Sequence, residues 1–105
     1  MNKKDYISQA LKAANIQIRE LKKVKKIFNK SFIKAVDLIL NCKGQVIFAG
    51  IGKSGLIAKK ISATFSSVGI PSFFCDPAQA LHGDMGQIEK KDILIIFSYS
   101  GNTSE

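Results

Sequence analysis

Two short loops rich in Gly and Ser hold most of the residues in this chain that could do chemistry. The first, Gly50-Ile51-Gly52-Lys53-Ser54-Gly55, follows the apolar run Val46-Ile47-Phe48-Ala49, and the second, Ser98-Tyr99-Ser100-Gly101-Asn102-Thr103-Ser104-Glu105, follows Ile93-Leu94-Ile95-Ile96-Phe97. A loop of this composition that opens a helix turns backbone N–H groups and hydroxyls toward an anion, and the helix dipole adds to the attraction. One such loop suggests a nucleotide; two that converge suggest a phosphorylated small molecule. Lys53 is a cation at the expected start of a helix, an unfavourable place for it unless an anionic partner binds there. By spacing alone Glu105 is a solvent-facing acid in a first helical turn. His82, the single histidine of the chain, suits a site near Gly83-Asp84 and equally a loop histidine hydrogen-bonded to Asp84.

Two nucleotide readings of the first loop compete with a phosphosugar. An ATP-binding P-loop, GxxxxGK[ST], would require Gly at position 47, which is Ile47, so that reading is excluded. A dinucleotide fingerprint fits more closely: Gly50, Gly52 and Gly55 satisfy GxGxxG between a strand and a helix, and Asp76 stands about twenty residues on, where a ribose-binding acid is expected. Against it, Lys53 occupies a turn where close approach to a pyrophosphate favours small residues, and the Ser-rich second loop has no role. Half of a dinucleotide-binding domain stays open as an alternative.

The elements that must position these loops follow from periodicity. Apolar residues at Ile7, Leu11, Ala14, Ile18, Leu21 and Val24 predict a helix from about Lys4 to Lys26. A second helix is expected from Lys30 to Asn41, with Phe32, Ile33, Val36, Ile39 and Leu40 inward and Cys42-Lys43-Gly44 ending it. From Gln45 the pattern becomes strand, loop, helix, strand, loop, strand. Gln45 to Ala49 reads as a strand buried on both faces. Ser54 to Val68 reads as a helix with Leu56, Ile57, Ile61, Phe65 and Val68 at helical spacing, stopped by Gly69. Pro71 to Cys75 and Asp92 to Phe97 read as further strands, with a short turn or helix over Pro77 to Leu81 and a polar turn over Gly86 to Lys91. Strands alternating with helices give an α/β fold: N-terminal helices over residues 1–43, then a partial, parallel, flavodoxin-like and Rossmann-like sheet domain over 44–105. The chain ends where a helix should follow the second loop, so we read it as the front part of a longer protein or a truncated copy of one.

Composition bounds the partners. With 46% hydrophobic and 23% charged residues the chain has the balance of a globular domain, and no apolar run approaches the ~18 residues of a membrane span. The N-terminus enters a polar helical pattern instead of a signal-peptide core, so a cytoplasmic location without membrane association is expected. The formal charge of +8 arises in the helices, since residues 1–43 hold 11 of the 16 basic groups, while five lysines and five acids balance over 44–105. Leu21, Val24, Ile27 and Phe28 run at helical spacing through Lys22-Lys23 and Lys25-Lys26, which makes an amphipathic helix with a solvated basic face and not a nucleic-acid patch. The apolar surface of these helices exceeds what a short sheet needs and points to packing against another subunit. Cys42 and Cys75, with no CxxC and no metal spacing, are expected as buried, reduced core residues.

Taken in order, Gly-x-Gly-Lys-Ser-Gly, Ala63-Thr64-Phe65, Gly69-Ile70-Pro71-Ser72-Phe73-Phe74, His82-Gly83-Asp84 and Ser-x-Ser-Gly-Asn-Thr-Ser-Glu resemble the sugar isomerase (SIS) domain, and within it the arabinose-5-phosphate isomerases. The resemblance is dense from Gly44 to Glu105. It implies aldose–ketose isomerisation between D-arabinose 5-phosphate and D-ribulose 5-phosphate, on the way to the lipopolysaccharide sugar 3-deoxy-D-manno-octulosonate. By the same resemblance Ser54, Ser98, Ser100 and Thr103 hold phosphate, while Lys53, Glu105 and His82 act at the sugar carbons. Gly69 and Ile70 line the substrate, and neither a metal nor an organic cofactor is demanded. Relatives often carry another His where this chain has Asp76. The resemblance also implies a homo-oligomer, a tetramer in the family, and further strands, later site residues and regulatory CBS modules that these 105 residues do not contain. A non-catalytic phosphosugar-binding module or remnant is the second reading.

Overall fold

The computed structural model describes residues 2–80 and 84–98. In chain order they form α1 (Lys3–Val24), a 3-10 turn (Lys25–Ile27), α2 (Lys30–Leu40), β1 (Val46–Gly50), α3 (Gly52–Ser67), β2 (Ser72–Cys75), α4 (Pro77–Ala80), a second 3-10 turn (Asp84–Gln87) and β3 (Ile93–Phe97). The chain divides into two compact units, Met1–Asp37 and Leu38–Glu105. Among the described residues no helix is long and apolar enough to cross a membrane.

In the first unit, a capping box starts α1. The Asp5 amide donates to Asn2 Oδ1 and the Asn2 amide to Asp5 Oδ2, both at 3.0 Å, and a cap of this kind stabilises a helix by about 1 kcal/mol. Asn29 caps α2 with its side chain alone, accepting from the Ser31 and Phe32 amides. The expected helices are present, but α1 buries none of its residues. On α2, Phe32, Ile33 and Leu40, expected inward, are exposed; Ile39, which already belongs to the second unit, is partly buried against that unit's own core. The period that predicts an apolar face does not guarantee that the same chain supplies its cover.

The second unit is a three-stranded parallel sheet in the order β2-β1-β3. Central β1 is buried along its whole length, as expected for an apolar run paired on both sides. Val46 and Phe48 form the core with Ala58 of α3, and Ile61, Phe65, Phe74, Ile95 and Phe97 close around them. The Phe48 ring meets Phe65 edge-on at 5.1 Å and stacks on Phe97 at 6.0 Å. Such pairs add about 0.5–1.5 kcal/mol each beyond the area they bury. Cys75 is buried and Cys42 half-buried, and neither is in a disulfide.

The inner face of α3 differs from the expected one. Leu56, Ile57 and Val68 are exposed, and Gly55, Ala58 and Ser62 are buried against the sheet with Ile61 and Phe65 beside them. Close approach decides this. A Cβ on Gly55 would lie 2.5 Å from the Gly50 carbonyl oxygen, so only a residue without one fits. Lower on the helix, the Ser72 hydroxyl bonds the Val46 carbonyl at 2.6 Å and shares a 3.2 Å hydrogen bond with Ser62, while Ser66 donates to the Ser72 carbonyl at 2.9 Å. Hydroxyls take the place of an apolar seam here, and the buried Ser62 is satisfied.

The helix ends in a Schellman motif. Gly69 has φ +89°, its amide bonds the Ser66 carbonyl, and the Ile70 amide bonds the Phe65 carbonyl at 3.0 Å. At the same amino-terminal edge of the sheet, Asp92 ties the segments that lead into β1 and β3. Its Oδ1 accepts from the Gln45 amide and its Oδ2 from the Glu89 amide, both at 2.7 Å. These two amides, with the charge of Lys91 adding, hold its carboxyl below the ordinary value. Gly44 leaves room for the clamp, because a side chain there would collide with the Asp92 carboxylate.

Candidate functional site

Parallel pairing brings the carboxyl ends of β1 and β3 to one edge. Gly50, the last residue of β1, is the register partner of Phe97, the last residue of β3, so the segments that follow leave the sheet side by side. At the carboxyl end of β1 the chain leaves through α3 toward the β2 flank, and β3 ends beside β1 on the other flank; open α/β sheets bind ligands outside the carboxyl ends of their strands.

On the β1 side, Ile51 is extended and Gly52 takes φ +63°, with open space around the position of a Cβ. This left-handed step suits glycine and turns the chain from strand into helix within two residues. The first turn of α3 then carries Gly52, Lys53 and Ser54, and no side chain caps it. First-turn amides have no intrahelical acceptor, and the helix dipole places a partial positive charge among them. The exposed Lys53 adds a full charge and, among the described residues, forms no ion pair. Ser54 is half-buried beside it. The arrangement has the donors and the sign of charge that hold a phosphate.

On the β3 side, Ser98 follows Phe97 directly and is exposed. Ser100, Thr103, Glu105 and His82 lie outside the described residues. Asp76 follows β2 at this same edge, where its Oδ1 accepts from the Ala78 amide at 2.9 Å and starts α4. That local role accounts for the residue without a ribose.

Gly69 and Ile70 stand elsewhere. They join the carboxyl end of α3 to the amino end of β2. The 16-residue α3 separates them from Lys53 and Ser54 in its first turn, which at about 1.5 Å rise per residue is roughly 20 Å or more. The positive φ of Gly69 and the paired amides of both residues serve the helix end, at the opposite end of α3 from Lys53 and Ser54. Sequence reasoning also missed Asp92, whose partners Gln45 and Glu89 no spacing pattern links to it. Among the described residues no group of three His, Cys, Asp or Glu is placed to hold a metal ion.

Comparison with known proteins agrees with this edge-loop architecture. Residues 39–105 match the SIS domain. Arabinose 5-phosphate isomerase GutQ of Escherichia coli K12 is 46% identical over 90 residues, which is 86% of this chain and 28% of that protein. Arabinose 5-phosphate isomerase KpsF of Escherichia coli O6:H1 (strain CFT073) is 51% identical over 81 residues, 77% of this chain and 25% of that protein. An Escherichia coli CFT073 protein solved in complex with arabinose 5-phosphate superposes with a TM-score of 0.90 at 38% identity, covering 99% of this chain and 55% of that one. The chain thus spans about a quarter of the length of these curated relatives. Its sheet order, its loop chemistry and the match over residues 39–105 lead to one conclusion: the chain belongs to the SIS domain family.

Proposed function

We propose that this chain carries the phosphosugar-binding edge of an aldose–ketose isomerase that interconverts D-arabinose 5-phosphate and D-ribulose 5-phosphate in lipopolysaccharide sugar synthesis. The observation that carries the reading is the Gly50–Phe97 register, which starts both hydroxyl-bearing loops at one edge beside the uncapped first turn of α3. The relatives' names and the arabinose 5-phosphate complex of the structural neighbour supply the substrate class.

In this reading the α3 amides and Ser54 hold phosphate from one side, and Ser98, Ser100 and Thr103 hold it from the other. Isomerisation through an enediolate moves a proton between adjacent carbons and builds negative charge on oxygen. Lys53 stabilises that charge, Glu105 moves the proton and His82 assists at the sugar oxygens; the reaction demands neither metal nor organic cofactor. The exposed apolar residues of α1 support a homo-oligomer as the assembled form.

A binding module without turnover is the second reading. It is favoured by one observation: Asp76, the described carboxylate that directly follows a strand at this edge, is engaged in starting α4. Ketose formation from D-arabinose 5-phosphate by the chain, compared with Lys53→Ala, separates the two. Turnover that falls at least about a hundredfold in the variant supports the isomerase, on the scale of a lost transition-state contact. A folded chain that binds the sugar phosphate without turnover supports the module, and one that binds NAD and no sugar phosphate overturns both.

A further inference from the structure

We propose that Gly55 is a positioning residue for phosphate binding, acting through its backbone contact with Gly50. This inference rests on the sugar-phosphate reading above and deepens it. The hydrogen-bond ladder fixes Gly50, because it pairs with Phe97 at the end of β3 and so shares the frame of the second loop. Gly55 lies one helical turn into α3, where its amide makes the bond to the Ile51 carbonyl at 3.3 Å. A Cβ at Gly55 would meet the Gly50 carbonyl oxygen at 2.5 Å and the Gly50 carbonyl carbon at 3.0 Å, with the Phe74 ring behind at 3.8 Å. From the strand side, a Cβ at Gly50 would meet the Gly55 amide nitrogen and the Ser54 carbonyl at 3.0 Å. Backbone therefore touches backbone, and no flexible side chain is available to yield.

The contact sets how far the first-turn amides, Lys53 and Ser54 stand from Ser98 across the crevice. A methyl group at position 55 forces α3 away from β1 and widens that gap. A phosphate gripped from two sides is sensitive to such displacement, since hydrogen bonds to a charged group weaken steeply with distance and angle, and losing one costs about tenfold or more in affinity. Gly44 provides a contrast at the other end of the same strand, where a Cβ would strike the Asp92 carboxylate and loosen only the amino edge.

The test measures binding of D-arabinose 5-phosphate and of inorganic phosphate by wild type, Gly55→Ala, Gly50→Ala and Gly44→Ala, below the melting temperature of each. The expected result is a loss of about tenfold or more in affinity for both ligands in Gly55→Ala, on the scale of one lost hydrogen bond to a charged group, and a smaller loss in Gly50→Ala. Gly44→Ala melts earlier and keeps its affinity. Equal losses in Gly44→Ala and Gly55→Ala, or full affinity in a folded Gly55→Ala, overturn the inference. Should Gly55→Ala not fold, Gly50→Ala against Gly44→Ala decides in the same way. A wild type that binds inorganic phosphate but not the sugar phosphate overturns the sugar reading alone, and the inference is then judged on inorganic phosphate. One that binds neither overturns both.

Discussion

Gly50 and Phe97 are parallel register partners at the carboxyl ends of β1 and β3. The Phe97 ring packs against Phe48 in the core, and the Gly50 carbonyl touches Gly55 at the start of α3. One rung of the sheet thus links core packing to the placement of both loops. Since β1 is buried throughout, the rung is shielded from solvent on the β1 side. The geometry of the candidate site is set by the most protected strand of the fold.

Asp92 makes the amino edge sensitive to acid. Its carboxyl is held below the ordinary 3.8 by the Gln45 and Glu89 amides, so its contribution is fully present above that pH and is lost as pH falls through the lower folded value. Asp92→Asn keeps the shape but turns an amide toward one of the two backbone donors. We expect the variant to melt below wild type at pH 7, and the gap to close as both are acidified below about pH 3.8, the unfolded value. Melting temperature against pH checks this, and a gap independent of pH contradicts the clamp.

The exposed stripe on α1 predicts self-association. Ile7 and Leu11 lie a helical turn apart and both are more than half exposed. Burying each against a partner contributes about 1.5–3 kcal/mol, so Ile7→Lys with Leu11→Lys should raise a dissociation constant by at least about a hundredfold. Sedimentation should show wild type above 11.5 kDa and the double variant near that mass, with helix content retained because lysine is a good helix former. Equal masses for the two proteins would remove α1 from any interface.

The alternation of strands and helices was legible because its signals are local. Apolar residues 46–49 between Gly44 and Gly50 announce a buried strand, and β1 occupies Val46–Gly50. The inward face of α3 was not legible. Leu56 and Ile57 carry the stronger hydrophobic signal, yet Gly55 and Ala58 face the sheet, because backbone proximity favours small residues over apolar ones. Asp92 escaped for a different reason, since its partner Gln45 is 47 positions away and an acid before a strand follows no pattern. In the candidate site, Lys53, Ser54 and Ser98 could be placed at one edge from topology alone. Gly69 and Ile70 sit at the other edge, in the helix-ending turn of α3, a place that sequence does not mark because a helix-ending glycine and a ligand-lining glycine look alike there.

The central claim is tested most directly by titrating the isotopically labelled chain with D-arabinose 5-phosphate and following backbone amide shifts. The account predicts saturable shifts concentrated at Gly52, Lys53, Ser54 and Ser98, weakened by salt because the grip is largely ionic, with Gly69 and Ile70 unmoved. Shifts confined to the lysine-rich face of α1, or none in a folded chain, would contradict it.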